Sequence, residues 1–534
     1  MTDESESGSP SQSSSSSEPA AVTDRKRWLL PALICLASLL VFSYYARQHP
    51  YGTYTTETDF YQYYGPDAER IGAWQFPENP YQGPGYPAAL ALASKLTGGD
   101  LFSAGKWLSV ISASIVGLLS FILFARLFGY WVGVGAQLAV LVVTQLPIFA
   151  INPTTDIFFL VPCLASLVVF TSGRLAAQWR VPMTAVLVGI TYLTRYNGVF
   201  LLVTCLFGIL LLNVFERTWR TRLWLAAVFV VVFVVTASPW LYANYKHNGS
   251  PFYNTNYLNI ATEFYPDLAN QNVFQDSTRA LAETFHSFGD VFRHDPDRML
   301  KHYPENLYDC LGKTITLNLV SQWVGWLALA GFALVLIERP SKSVMLVLIS
   351  LALCVLLLAL THWEDRYYFY VGVMYSGLAA YACARVLRIF RARGWAKHRA
   401  FVAVPLILFA VMWTMAFSKS RRELVRFLGT HPTEIIAACD YLKSENVSGA
   451  RIVARKPHLP AICRGQWVYF PQVESLDGLK AWLQENQVDY IAFGIRELAA
   501  RPQLSSLKNP LAAPPWLKPV WVSEKPPFVL YKTE

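Results

Sequence analysis

The residues best suited to chemistry are two isolated carboxylates, an arginine and one compact acidic and basic cluster, none of them next to another in the chain. Asp59 opens the aromatic run Phe60-Tyr61-Gln62-Tyr63-Tyr64, Asp156 follows Thr154-Thr155, Arg195 lies in Leu193-Thr194-Arg195-Tyr196-Asn197-Gly198, and His362-Trp363-Glu364-Asp365-Arg366-Tyr367 forms the cluster. A carboxylate can take a proton from a hydroxyl nucleophile, and a guanidinium can stabilise a departing phosphate. Asp59 and Asp156 are therefore the catalytic candidates. Arg195, His247, His362, Glu364, Asp365, Arg366 and Tyr367, with Tyr86 in the turn Pro84-Gly85-Tyr86-Pro87, are the substrate-binding candidates.

Each candidate also has a purely structural reading. Asp59 and Asp156 stand where a helix cap would, Arg195 is placed to snorkel toward lipid headgroups, and Arg366 has Glu364 and Asp365 beside it for a local ion pair. His247 reads first as an ordinary loop residue and only second as a ligand. Sidedness favours function, because all of these residues fall on one face of a membrane domain.

That domain is evident from composition. Of 534 residues, 54% are hydrophobic and 15% charged, and the apolar residues come in long runs, which marks a polytopic membrane protein. Spans are expected near 28–46, 104–126, 131–150, 157–173, 181–194, 198–214, 223–242, 316–337, 343–360, 368–385 and 400–417. The run at 86–96 has about half the length a span needs, so an interfacial helix is expected there. Inward segments of this topology carry Arg25-Lys26-Arg27, Arg217, Arg220, Arg222 and the basic stretch from Arg385 to Arg399. The outward segments 47–103, 151–156, 195–197 and 361–367 hold only Arg47, Arg70, Lys95, Arg195 and Arg366. The bias is that of positive-inside topology, with a cytoplasmic N-terminus and an extracytoplasmic (periplasmic) C-terminal region. It also accounts for the net charge of +9 without nucleic acid.

Three parts follow from this reading. Residues 1–24, rich in Ser, Glu and Pro, form a disordered cytoplasmic tail. Residues 25–417 form the transmembrane domain, with Trp28 to Tyr45 as an uncleaved anchor and long outer loops at 47–103 and 243–313. Residues 418–534 form a small extracytoplasmic α/β domain: Thr433 opens a helix, ARIVARK reads as a strand, LDGLKAWLQENQ as a helix, and VDYIAFG and PFVLYK as further strands. Cys439 and Cys463 would be able to pair if that part is extracytoplasmic, and the cysteines within apolar runs read as small core residues.

Other motifs point nowhere. Asp295-Pro296-Asp297 has a D-x-D spacing but reads as a Pro-containing turn, and no P-loop, GxGxxG, HExxH or GxSxG occurs. A transporter or lipid flippase is the alternative class; it predicts charges within spans and an internal repeat, and neither is evident.

In their order and common sidedness, several stretches resemble the GT-C class of integral-membrane glycosyltransferases, in the bacterial branch similar to protein O-mannosyltransferases and lipid A aminoarabinose transferases. They are Asp59 with its tyrosines, Tyr81-Gln82-Gly83-Pro84-Gly85-Tyr86-Pro87, Asp156, Leu193 to Gly198, Ser238-Pro239-Trp240 with Asn244, Gly249-Ser250-Pro251-Phe252, and Arg366-Tyr367. The resemblance covers about residues 28 to 385. It implies a mainly α fold, a polyprenyl-phosphate (undecaprenyl or dolichyl) sugar as donor, a protein, lipid or polysaccharide as acceptor, and transfer outside the cytoplasm. It further implies Asp59 as general base or acceptor-positioning carboxylate, Arg366 at the lipid phosphate, and loop 243–313 as cover. The acid usual near the YP motif is displaced here, leaving Asp67, Glu69 or Glu78 as the acids for a divalent metal, should one be used.

Overall fold

The computed structural model describes residues 26–54, 57–269, 273–316 and 319–534. The expected tail at 1–24 lies outside the described residues. Each apolar run becomes helical: α1 (Lys26–Arg47), α2 (Gly65–Gly72), α3 (Gly85–Ser94), α4 (Leu101–Phe128), α5 (Tyr130–Val140), α6 (Leu146–Ala150), α7 (Thr155–Phe170), α8 (Ala177–Thr194), α9 (Val199–Leu210) and α10 (Trp219–Asn248). Five helices fill the segment between α10 and the next long apolar helix: α11 (Tyr257–Phe264), α12 (Pro266–Ala269), α13 (Phe274–Thr284), α14 (Phe288–His294) and the longer α15 (Pro296–Thr316). The bundle closes with α16 (Gln322–Ile337), α17 (Lys342–Leu358), α18 (Phe369–Ala392) and α19 (Arg399–Leu428).

Among the described residues, five helices are long and apolar enough to cross a membrane unaided: those at 27–47, 101–128, 219–248 and 365–392, and the one beginning at 399. α4 packs against α1, α5 and α7, while α18 packs against α5 and α16. The interior between them is aliphatic and aromatic, from Val110 and Phe124 through Leu160 to Tyr370. The outer faces of α1, α10 and α19 stay apolar and exposed, as at Leu33, Leu40, Val231, Val235, Leu406 and Ile407. Lipid is the solvent those faces fit. α3 has ten residues, about 15 Å of helix, which is half of a bilayer core.

One expected span differs in a way that matters. The run at 131–150 breaks into α5 and α6, and the bend turns the Thr144 N–H away from the helix to donate to the Leu319 carbonyl at 3.1 Å. Pro147, which has no N–H of its own, starts the second piece. Irregular backbone at this depth is tolerated only where protein or a cavity satisfies it, and here the bend frees the Gln145 side chain for the site.

The C-terminal part follows α20 (Thr433–Ser444) with β1 (Arg451–Ala454), α21 (His458–Cys463), β2 (Gln466–Tyr469), α22 (Leu476–Glu485), β3 (Tyr490–Gly494), α23 (Ile495–Ala500), β4 (Leu517–Glu524) and β5 (Pro527–Thr533). The sheet order is β2-β1-β3-β5-β4, with β1 parallel to β2 and β3, and β5 antiparallel to β3 and β4. The sequence reading named β1, β3 and β5 but not β2 and β4. β2 has only four residues, and β4 carries Pro519 at an irregularity in its pairing with β5, the edge placement proline requires.

Candidate active site

Loop closure begins with two glycines. A side chain at Gly85 would bring Cβ to 2.9 Å from the Leu193 carbonyl oxygen, and one at Gly83 would collide with the same group. Only glycine lets the Gln82-Gly83-Pro84-Gly85 turn lie on the end of α8, beside Arg195. Thr255 in the second outer loop donates its N–H to the Pro80 carbonyl at 2.9 Å, and Asn256 donates its side-chain amide to the Tyr81 carbonyl at 2.7 Å. Two motifs more than a hundred residues apart are thereby fixed to each other and to the loop above them.

The other end of the first outer loop is tied down by buried polar groups. His49 Nε2 lies 2.6 Å from Glu57 Oε1, and both side chains are fully buried. The second Glu57 oxygen accepts from the Thr53 N–H and hydroxyl, each at 2.8 Å. The C-terminal domain closes over this corner: His458 Nε2 sits 2.6 Å from the Thr53 carbonyl, and the Tyr54 hydroxyl donates to Glu434 at 2.8 Å. Burial pushes the His458 ring down to about 3. A second clamp joins that domain to α13, where buried Arg501 pairs with buried Asp276 at 2.9 Å and the Tyr469 hydroxyl donates to the same carboxylate at 3.0 Å.

Between these elements lies a cavity of about 580 Å³. Asp59 enters it immediately before one turn of π-helix, Phe60–Tyr64, an irregularity frequent at functional sites. Arg366 Nη1 donates to Asp59 Oδ2 at 2.7 Å, and Arg366 Nε lies 3.2 Å from Glu364 Oε2. Behind them Arg195 pairs with the buried Asp156. The Tyr367 ring stands between the two guanidinium groups, 5.0 Å from that of Arg195 and 5.4 Å from that of Arg366. An arginine held on two sides is oriented before any ligand arrives, yet it has five N–H donors and has not spent them all. Burial raises the Glu364 carboxyl, against the lowering pull of Arg366. Burial, then the charge of Arg366, lowers the His362 ring to about 4, so it is neutral at pH 7.

Of the residues expected from sequence, Asp59, Arg195, His362, Glu364, Arg366 and Tyr367 line the cavity together. Asp156 stands one layer behind through Arg195. Asp365 turns away from the cavity, accepting from Gln145 at 2.6 Å and from the Trp363 indole at 2.7 Å, and so orients the segment that carries Arg366. Tyr86 is fully buried between Tyr64, at 5.2 Å, and Phe158, at 5.6 Å. His247 stacks on Phe76 at 4.1 Å and does not line the cavity.

Arg279, Arg455, Lys456, Trp467 and Tyr469 line it as well, and the sequence reading passed over them. Arg455 and Lys456 follow β1 directly, at the carboxyl end of a parallel strand, which is where such sheets bind ligands. That position was the available signal. Arg279 sits in a short helix with no distinguishing pattern.

Of the acids considered for a metal, Glu69 is exposed, and Asp67 and Glu78 have other partners. Asp67 accepts from the backbone N–H groups of Glu78 at 2.7 Å and Asn79 at 3.2 Å, and Glu78 pairs with Arg70. Burial pushes Asp67 up to about 6. Among the described residues no three His, Cys, Asp or Glu side chains converge as a metal set, and Asp59 and Glu364 both face Arg366, so these residues do not fit a divalent ion. Asp295 is a helix cap, accepting from the Arg298 N–H at 2.9 Å.

Residues 80–242 match the family described as dolichyl-phosphate-mannose-protein mannosyltransferase. No curated protein matches the chain. ArnT from Cupriavidus metallidurans, solved bound to undecaprenyl phosphate, superposes with a TM-score of 0.57 at 14% identity, over 95% of this chain and 98% of that one. The archaeal oligosaccharyltransferase AglB from Archaeoglobus fulgidus, solved in complex with an inhibitory peptide and a dolichol-phosphate, superposes with a TM-score of 0.61 at 13% identity, over 96% of this chain and 75% of that one. At these identities the likeness is one of fold. The family match takes in the glycine turn, Asp156 and Arg195, and stops short of Asp59 on one side and Arg366 on the other.

Proposed function

We propose that this chain, a membrane glycosyltransferase with the GT-C fold, moves a sugar from a polyprenyl-phosphate donor to an acceptor on the extracytoplasmic face of the membrane. The observation that carries the reading is the Asp59–Arg366 pair at 2.7 Å in the wall of the cavity, a proton acceptor and a phosphate-binding cation side by side. The acceptor hydroxyl gives its proton to Asp59 as its oxygen bonds to the anomeric carbon of the donor. The bond from that carbon to the phosphate oxygen breaks, and the polyprenyl phosphate leaves with the electron pair. Arg366, held by Asp59 and Glu364, faces the growing negative charge. Arg195 is set in the same wall by Asp156, with Tyr367 spacing the two cations. The neutral His362 adds no competing charge there.

The charge bias of the loops supports the extracytoplasmic side, because the cavity walls come from segments 47–103 and 243–313, the segment before α18 and the C-terminal part, all of which that bias assigns to one face. An exterior site needs no nucleotide supply, since the donor brings its own leaving group and keeps its tail in the bilayer. A transporter or flippase is not favoured, because both the family match and the fold are those of glycosyltransferases. The test is transfer of a radiolabelled sugar from its polyprenyl phosphate in membranes holding wild type, Asp59→Asn or Arg366→Ala. Both variants should lose transfer, and full transfer by both would refute the site.

A further inference from the structure

The cavity has two walls, and only one of them is electrically balanced. Five cations line it, Arg195, Arg279, Arg366, Arg455 and Lys456, against two carboxylates, Asp59 and Glu364. Asp156, just behind, neutralises Arg195. A polyprenyl-phosphate sugar brings one negative charge and leaves positive charge over. The surplus lies on the side of the C-terminal domain, where Arg279, Arg455 and Lys456 make no ion pair among the described residues.

This second wall is built rigidly. Ala454 and Tyr469 are register partners in the parallel pair of β1 and β2, so the segment Arg455-Lys456 begins at the level of Tyr469, the carboxyl end of β2, with Trp467 two residues earlier on the same strand. The Trp467 indole is fixed by donating to the Ala454 carbonyl at 2.9 Å, and the Tyr469 hydroxyl by donating to Asp276. The Arg455 N–H donates to Glu497 at 3.1 Å, while its side-chain Nε is buried with no hydrogen-bond partner among the described residues. Arg279 crosses from α13 to lie 4.0 Å from the centre of the Tyr469 ring. Arg455 feels the buried Glu497 carboxylate and Lys456 that of Asp59, but neither cation has a carboxylate within ion-pair distance among the described residues, and cations held so beside fixed aromatic faces form a receptor for an anion.

We propose that Arg455 and Lys456, with Arg279 facing them, form an acceptor subsite, and that the acceptor is an anionic molecule carrying a phosphate or carboxylate group. The assignment of that anion to the acceptor rests on Arg366 holding the donor phosphate, as argued above. Arg455, Lys456 and Arg279 line the same cavity as Asp59 and Arg366, so an anion held there occupies the space the base faces.

The experiment uses the full chain in lipid nanodiscs saturated with undecaprenyl phosphate, so that Arg366 is occupied, and titrates in glucose 6-phosphate, glucuronate or uncharged glucose. At least one of the two anionic sugars should bind about tenfold or more tightly than glucose. That preference should fall by about tenfold in the double variant Arg455→Gln/Lys456→Gln and survive in Lys456→Arg, as expected for lost charge-assisted contacts. Undecaprenyl phosphate affinity within about twofold of wild type in the double variant reports an intact fold and an intact donor site. Anionic probes that bind no better than glucose, or that bind wild type and double variant alike, overturn the subsite. A loss of undecaprenyl phosphate binding in the double variant as large as in Arg366→Ala, with both proteins folded by thermal melting, overturns it too, because the cluster would then grip the donor. If undecaprenyl phosphate binds neither wild type nor variant while the anionic sugars still require Arg455 and Lys456, the donor assignment fails and the anion subsite stands.

Discussion

The two walls of the cavity use the same residue types in opposite ways. On the membrane-domain wall each arginine is tied to a carboxylate, Arg366 to Asp59 and Glu364, and Arg195 to Asp156. On the C-terminal wall Arg279, Arg455 and Lys456 stand beside aromatic rings with no carboxylate in ion-pair range among the described residues. Pairing orients a cation and sets the basicity of its partner, which suits a group that must act on developing charge. Leaving cations unpaired raises the local potential, which suits capture of a charged ligand. Under the proposed function, the walls divide the labour between bond exchange and recognition.

The largest effects should come from the paired wall. Asp59→Asn should lower the rate of transfer by about a hundredfold to ten-thousandfold, the usual worth of a general base. Arg366→Ala should cost about a hundredfold or more and raise the donor KM as well, because it removes the phosphate contact and leaves Asp59 without its partner. Steady-state kinetics on purified protein separates the two. A loss in kcat alone for Arg366→Ala would make it an orienting group and not a phosphate ligand.

The joint between the walls comes next. Arg501→Ala strands the carboxylate of Asp276, whose side chain is 1% exposed, and breaking such a buried pair costs about 3–5 kcal/mol. Hydrogen exchange over residues 274–284 and 496–508 should rise together in this variant. An unchanged profile would show that the clamp does not hold the C-terminal domain in place.

A smaller effect separates the walls by pH. Burial, followed by the charge of Arg455, depresses Lys456 to about 8; Asp59 works to keep it charged, while Arg496 and Arg366 work against it. Below that pH Lys456 is a cation and above it neutral, so anionic ligands should bind up to about tenfold more weakly at pH 9 than at pH 7. Titration of glucose 6-phosphate at both values checks this, with Lys456→Arg removing the dependence. The smallest effect is expected at His247, whose ring packs on Phe76 away from the cavity, so His247→Ala should leave transfer within about twofold.

Much of the paired wall was legible in the sequence because bilayer physics makes it so. A polar loop between apolar runs, and charges at the ends of spans, are expensive unless they serve something, which singles out Asp59, Arg195 and the segment from His362 to Tyr367. The expected topology places them all on one side. What sequence could not give was the distance between them. That Arg366 meets Asp59, or that Asp365 turns back to Gln145, depends on the break between α5 and α6 and on the glycine turn seated on Leu193. The C-terminal wall was harder still. Its strands were recognisable by alternation, but Arg455 and Lys456 resemble any basic pair after a strand until the sheet order and the Arg501–Asp276 clamp aim them into the cavity. His247 and Tyr86 lie outside the cavity lining and pack on aromatic rings, since aromatic and titratable residues near a site also serve as packing.

The most direct test of the account is single-turnover transfer by Asp59→Asn with undecaprenyl phosphate binding measured on the same preparation. The account predicts that lipid phosphate binding persists while the transfer step slows by about a hundredfold or more. Transfer at the wild-type rate in that variant would contradict it.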